Sequence, residues 1–218
     1  MTLPRSALIL AALLGVGLGD CGARAATAPS TLSEADSRDV ARAVAYLEGL
    51  TSAKWRFTQT DTRGGQLTGS VVLQRPGKAR FDYDPPSGLV VASDGHRVAV
   101  VDRRLKTIHA YPLGMTPLGL FLGRNIRFDR GVRVEHVEHV EHDDGLTIVA
   151  AESQHRDRGS IALRFNLAPF ALAGWTLTDA RGVKVKVTLS DFTRVGPQDP
   201  GTFVLTDPRP APGTEPAS

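Results

Sequence analysis

The chain has 218 residues, 41% of them hydrophobic, and a formal charge of +3. That length supports one domain with a sizeable core, or two small ones, and so mild a basic balance does not argue for a nucleic-acid partner. The only cysteine is Cys21, so the chain beyond the leader has neither a disulfide framework nor thiol chemistry.

Residues 1–25 read as a secretory signal peptide. Arg5 supplies the positive start, Ser6–Gly19 is an apolar run, and Ala23-Arg24-Ala25 is a cleavage pattern of small residues. The run is shorter than the ~20 residues of an ordinary membrane span. Lipidation at Cys21 is the minor alternative, because Asp20 is a poor neighbour for a lipidated cysteine. Cleavage takes the charge from +3 to +2, since Arg5 and Arg24 leave with Asp20. Residues 26–32 follow as a small-residue linker, 33–207 as the folded domain, and 208–218 as a Pro-rich tail expected to be disordered.

The domain opens with a helix over 34–48. Ser33 is placed to cap it, with Asp36 three positions on. Val40, Val44 and Leu47 recur at helical spacing beside Ala41 and Ala45, a narrow apolar stripe, and Gly49 marks the stop. From Ala53 the period changes to two: Trp55, Phe57 and Gln59 alternate with Arg56, Thr58 and Thr60. Arg63-Gly64-Gly65 reads as a hairpin turn and Leu67–Gln74 as the returning strand. Phe81 and Tyr83 share a face opposite Arg80, Asp82 and Asp84. Val90–Ser93 ends at the strong turn signal Asp94-Gly95; His96–Asp102 and Lys106–Pro112 make further passes.

The strand pattern then breaks. Thr116–Gly123 is apolar, with a threonine to cap, a proline in the first turn and a closing glycine, and reads as a short buried helix. Strands resume as Leu146–Ala151, Ser160–Asn166, Gly174–Asp179, Val183–Asp191 and a last one at Thr202–Leu205. In Val183–Ser190 valines and a leucine alternate with Lys184, Lys186, Thr188 and Ser190, as in a sheet with one wet face.

Catalytic motifs are lacking: there is no Gly-x-Ser-x-Gly elbow, phosphate loop or His-Glu-x-x-His pair. Val134–His142 reads VEHVEHVEH, which spaces His136, His139 and His142 three apart. These are good ligand types for zinc or nickel. On a strand, however, such residues point to opposite faces, and so many valines make a weak helix, so a solvated strand end or hairpin is preferred over a metal site. Arg124, Arg127, Arg130 and Arg133 recur similarly, with only Phe128 nearby to stack on a base, and read as a solvated charged loop neutralised by the acidic residues downstream.

Val71–Pro86, VVLQRPGKARFDYDPP, organises the rest. Proline cannot donate to a ladder, so Pro76 is expected at a bulge or an edge. Arg75, just before it, has donors free to reach another element. The stretch reads as one wall of an apolar cup with Arg75 latching a cover over it.

Leu47–Thr60, Gln74–Pro86, the Ser93-Asp94-Gly95 turn, Thr116–Gly123, Leu177–Phe192 and Asp199–Pro208 occur in the order seen in the LolA family, which the chain resembles over nearly all of 33–207. Phe57-Thr58-Gln59 and Arg75-Pro76-Gly77 carry much of the likeness. The resemblance implies a mainly β (α+β) fold, an incomplete antiparallel β-barrel with a helical lid over an apolar cavity, the lid being the helices at 34–48 and 116–123. It implies a periplasmic carrier that binds the acyl chains of lipoproteins released by an inner-membrane ABC transporter and delivers them to the outer membrane, in some bacteria to a receptor lipoprotein. Neither an enzyme nor a cofactor is implied, and a monomer is expected. The arginine of the family's Arg-Pro step holds the lid shut; Arg75, with Pro76, matches it. The candidate cavity lining is Trp55, Phe57, Val71, Leu73, Phe81, Tyr83, Leu118, Phe121, Leu122, Phe165 and Trp175. Lys78 and Ala79 stand where family members often carry large apolar residues. The alternative is a lipid-binding or sensing module of the same fold for another apolar ligand.

Overall fold

The computed structural model describes residues 32–116, 118–123, 126, 132–140, 144–153 and 159–208. The leader, most of the linker and nearly all of the Pro-rich tail therefore lie outside the described residues.

Helix α1 spans Glu34–Gly49. A complete capping box starts it: the Asp36 amide donates to the Ser33 hydroxyl oxygen at 3.0 Å, and the Ser33 amide donates back to the Asp36 carboxylate at 3.3 Å. The buried face is Ala43 and Leu47, with Leu50 following the helix. Val40, Val44 and Tyr46 are half-buried, while Ala41 and Ala45 are exposed. The expected stripe of Val40, Val44 and Leu47 thus faces the core, joined by Ala43 and Tyr46, while Ala41 and Ala45 beside it are exposed.

Among the described residues, eleven antiparallel strands form one open sheet. They are β1 (Ser52–Asp61), β2 (Gln66–Gln74), β3 (Lys78–Tyr83), β4 (Leu89–Asp94), β5 (Arg97–Asp102), β6 (Thr107–Pro112), β7 (Val132–Val140), β8 (Gly145–Glu152), β9 (Ser160–Leu167), β10 (Phe170–Thr178) and β11 (Lys184–Arg194). Their order is β6-β5-β4-β3-β2-β1-β11-β10-β9-β8-β7. Every neighbour is a sequence neighbour except at the centre, where β1 pairs with β11, Phe57 opposite Leu189. Aspartates close several hairpins as side-chain turn mimics. Asp61 accepts from the amides of Arg63 and Gly65, Asp94 from His96 and Arg97, and Asp179 from Arg181 and Val183.

The sheet is curled. The rings of Phe81 on β3 and Trp175 on β10 meet edge to face with centroids 6.1 Å apart, although β2, β1 and β11 lie between those strands. Since β6 and β7 are the two free edges, the segment joining them has to cross the open side of the curl. It carries a turn of 3₁₀ helix at Leu113–Met115 and the single-turn helix α2, Gly119–Leu122.

Local expectations are corrected at three places. Pro76 sits in the β2–β3 turn, not at a bulge or an edge; the ladder runs without slip from Gln74 opposite Lys78 to Val71 opposite Phe81. Thr116 does not cap α2: its hydroxyl donates to the Leu113 carbonyl at 2.8 Å, closing the preceding turn, and α2 begins after Leu118. Thr202–Leu205 is not a strand; a 3₁₀ turn covers Pro200–Phe203, with Asp199 accepting from the Gly201 amide at 2.7 Å.

Candidate functional site

The inward parity of the strands builds an apolar cup. On β1 the alternation puts Trp55, Phe57 and Gln59 inside and Lys54, Arg56 and Thr58 outside. Val71 and Leu73 follow on β2, Ala79 and Phe81 on β3, and Val185 and Val187 on β11. Buried Gly69 admits Phe57: a Cβ there would lie 2.6 Å from the Phe57 ring.

Among the described residues, two voids lie in the cup. The first is lined by Phe57, Gln59, Phe81, Tyr83, Val91, Leu118, Trp175, Leu177, Val185 and Val187, and leaves about 20 Å³ for a water-sized sphere. The second lies under Leu122 against Trp55, Val71, Leu73, Ala79, Phe81, Leu172, Trp175 and Leu189, and leaves about 10 Å³. One water needs ~10–15 Å³ on this measure, so each of these voids is about the size of a solvent molecule. Phe81 and Trp175 face both voids and form the partition between them.

Leu118 and Leu122 from α2 are buried in this cup. The end of α2 is held by the β2–β3 turn. Gly77 donates its amide to the Leu122 carbonyl at 2.7 Å, and Arg75 Nη2 donates to the Gly123 carbonyl at 2.7 Å. These satisfy carbonyls that a helix end leaves without intrahelical partners. The turn is itself fixed: the Arg75 amide donates to the Thr51 carbonyl at 2.8 Å, and buried Ser93 donates its hydroxyl to the Gly77 carbonyl at 2.6 Å. Gly77 has φ +75°, and a Cβ on it would lie 2.7 Å from Gly95 Cα, so only glycine fits. Burial lowers the Arg75 pKa, with Glu48 acting in the opposite sense; guanidinium stays charged regardless.

At the other end of the cup, Tyr83 donates its hydroxyl to Gln59 Oε1 at 2.6 Å. Gln59 is buried, and Tyr83 is partly exposed as the last residue of β3. Burial of the phenol pushes its pKa above the ordinary range.

Of the candidate lining, Trp55, Phe57, Val71, Leu73, Phe81, Tyr83, Leu118, Leu122 and Trp175 come together around the two voids. Phe165 is elsewhere: it stacks on Phe170, centroids 5.2 Å apart, and meets Tyr46 of α1 edge to face at 6.0 Å. Phe121 is on α2, but its side chain lies outside the described residues, as does His142. His136 bonds Glu138 at 2.9 Å, whereas His139 reaches across to α1, 3.2 Å from Asp39. The two imidazoles engage different partners, and among the described residues no group of metal-ligating side chains gathers. Lys78 points away from the cup, its ammonium 5.9 Å from the Phe203 ring centroid. Sequence reasoning passed over Gln59, Val91, Leu177, Val185 and Val187 as lining. Strand alternation signalled the parity of most, but not which strands would face each other across the curl.

A family model described as "Outer membrane lipoprotein carrier protein LolA" matches residues 48–206. The chain belongs to the LolA family. Among curated relatives of this LolA chain, the outer-membrane lipoprotein carrier protein of Chromobacterium violaceum is 26% identical over 192 residues, covering 85% of this chain and 91% of the relative. That of Leptothrix cholodnii is 28% identical over 156 residues, 67% of this chain and 71% of the relative. A solved structure of a DUF1329 family protein from Desulfovibrio piger shares the fold at TM-score 0.50 and 8% identity, over 80% of this chain and 98% of that one.

Proposed function

We propose that this LolA-family chain is a periplasmic carrier of acylated lipoproteins, working by reversible burial of their acyl chains and without covalent chemistry. The observation that carries this reading is an apolar cup collapsed under a helix whose end is pinned by Arg75 and Gly77. The family match and the curated relatives' names support it.

The magnitudes suit an exchangeable lid. A hydrogen bond from a charged donor contributes ~1.5–3 kcal/mol. Burying acyl chain yields ~0.8 kcal/mol per methylene, so about four methylenes offset the stronger limit. Arg75 and Pro76 then act as a latch that holds the empty cup shut, and cargo opens it because the chains bind only the open form. Cargo comes from an ABC transporter in the inner membrane and passes to the outer membrane, to a receptor lipoprotein where one exists.

Native mass spectrometry of protein purified from the periplasm without detergent tests the reading. An acylated peptide mass is expected on the protein. Free phospholipid or fatty acid in its place, with no uptake of added diacylated lipopeptide, would instead make the chain a lipid-binding module of the same fold.

A further inference from the structure

The polar pair Gln59 and Tyr83 has no role in a purely apolar burial mechanism. Gln59 is only 6% exposed, and its neighbours across the void are Phe57, Phe81, Leu177 and Val187. A polar side chain in such a place is costly unless its groups are bonded. Its oxygen is satisfied: Tyr83 Oη donates to Oε1 at 2.6 Å. That bond fixes the orientation of the amide and leaves the two hydrogens of Nε2 as donors. No protein acceptor takes them among the described residues. Nor is Nε2 sealed in, since no fully enclosed side-chain nitrogen or oxygen among the described residues lacks a partner, and Gln59 lines the void. The free space there, about 20 Å³, is enough for one small polar atom group.

We infer that Gln59, oriented by Tyr83, is a specificity residue that donates a hydrogen bond from Nε2 to an ester or amide carbonyl joining the cargo's acyl chain to its head. The inference rests on the carrier reading and names what the site recognises beyond hydrocarbon. The chemistry selects a carbonyl: the group presented is a donor, so its complement is an acceptor without a proton. Position agrees, because Tyr83 is the last residue of β3, at the end of the cup away from the turn that carries Arg75. A chain filling the void and the space under Leu118 has its linkage at that rim. A bare alkyl chain leaves Nε2 desolvated and unpaired, so the site discriminates by what it withholds as well as by what it offers.

The test uses two synthetic lipopeptides of one peptide sequence: a dipalmitoyl ester of S-glycerylcysteine, and its dihexadecyl ether, which keeps the chains and lacks the carbonyls. Affinities for the purified full-length protein are measured by displacement of a fluorescent fatty acid. The wild type is expected to bind the ester about tenfold more tightly. Gln59→Leu is expected to bind both alike, and Tyr83→Phe to narrow the preference. Equal binding of ester and ether by the wild type, or a preference that survives in Gln59→Leu, overturns the inference and leaves the carrier reading standing. The wild-type comparison needs no variant to fold. Failure of the wild type to bind either lipopeptide defeats the carrier reading itself, and the inference with it.

Discussion

Arg75 joins two elements by a single side chain. Its guanidinium is the largest polar group between the β2–β3 turn and the end of α2, and the Gly123 carbonyl accepts from it at 2.7 Å. Arg75→Leu keeps an aliphatic stem but no donor. It is expected to raise amide exchange at Gly77, whose N–H is bonded to Leu122, and to leave cargo stranded on the protein; normal handover of lipoprotein by this variant would count against a latch. Asp84 acts on the outer face. Hydrogen bonds from Arg56 and Thr68 hold its pKa at about 2, below the ordinary ~3.9. The folded value is the lower one, so the stabilisation is fully present above about pH 4 and is lost as pH falls through the folded value. Melting temperature followed from pH 5 to 2 is therefore expected to fall less in Asp84→Asn than in wild type. Gly69 is a packing constraint: a Cβ would lie 2.4 Å from the Asp82 carbonyl and 2.6 Å from the Phe57 ring. Gly69→Ala is expected to cost ~1–3 kcal/mol in urea unfolding.

Helix α1 is held chiefly by burial. Leu47 is 1% exposed, and Leu47→Ala is expected to cost ~2–5 kcal/mol. The contact of Asp39 with His139, 3.2 Å apart, joins the same helix to the edge strand β7 but is half exposed at the imidazole. Such pairs contribute ~0–1 kcal/mol, so denaturant titration of Asp39→Ala should show a far smaller loss. Helix α2 is the opposite case. One turn cannot sustain itself, because nucleation consumes the entropy that later turns repay. It exists because Leu118 and Leu122 are buried and because the β2–β3 turn bonds its carbonyls. α1 was legible from Ser33, Asp36 and the spacing of Val40, Val44 and Leu47. α2 was legible only as an apolar interruption between strands, and its boundaries were not.

The molecule opens only if its walls part. About 20 and 10 Å³ are free in the two voids, far too little for an acyl chain of many methylenes. The sheet centre is continuous from β1 through β11, so the contact that has to yield is that of α2 with the β2–β3 turn. Addition of a diacylated lipopeptide is therefore expected to speed hydrogen exchange at Gly77 while the β1–β11 amides stay protected. Unchanged exchange at Gly77 on saturation would show that cargo enters by another route. Phe81 and Trp175, in contact across three intervening strands, are the rings that have to separate for the two voids to become one.

The alternation of Trp55, Phe57 and Gln59 against Arg56, Thr58 and Thr60, and of Val185 and Val187 against Lys184 and Lys186, determined by itself that this chain makes a sheet with one dry face. The period of side chains along a strand is two whatever the strand pairs with. The Arg75-Pro76-Gly77 step determined a break in the strand pattern, though the break is a hairpin turn and not the expected bulge or edge. Only the tertiary structure decided that β1 meets β11, which strands confront each other across the curl, that Phe165 packs under α1, and that Gln59 lines the void bonded to Tyr83. Those are contacts between residues far apart in the chain, and their geometry follows from how far the sheet bends, which no local period encodes.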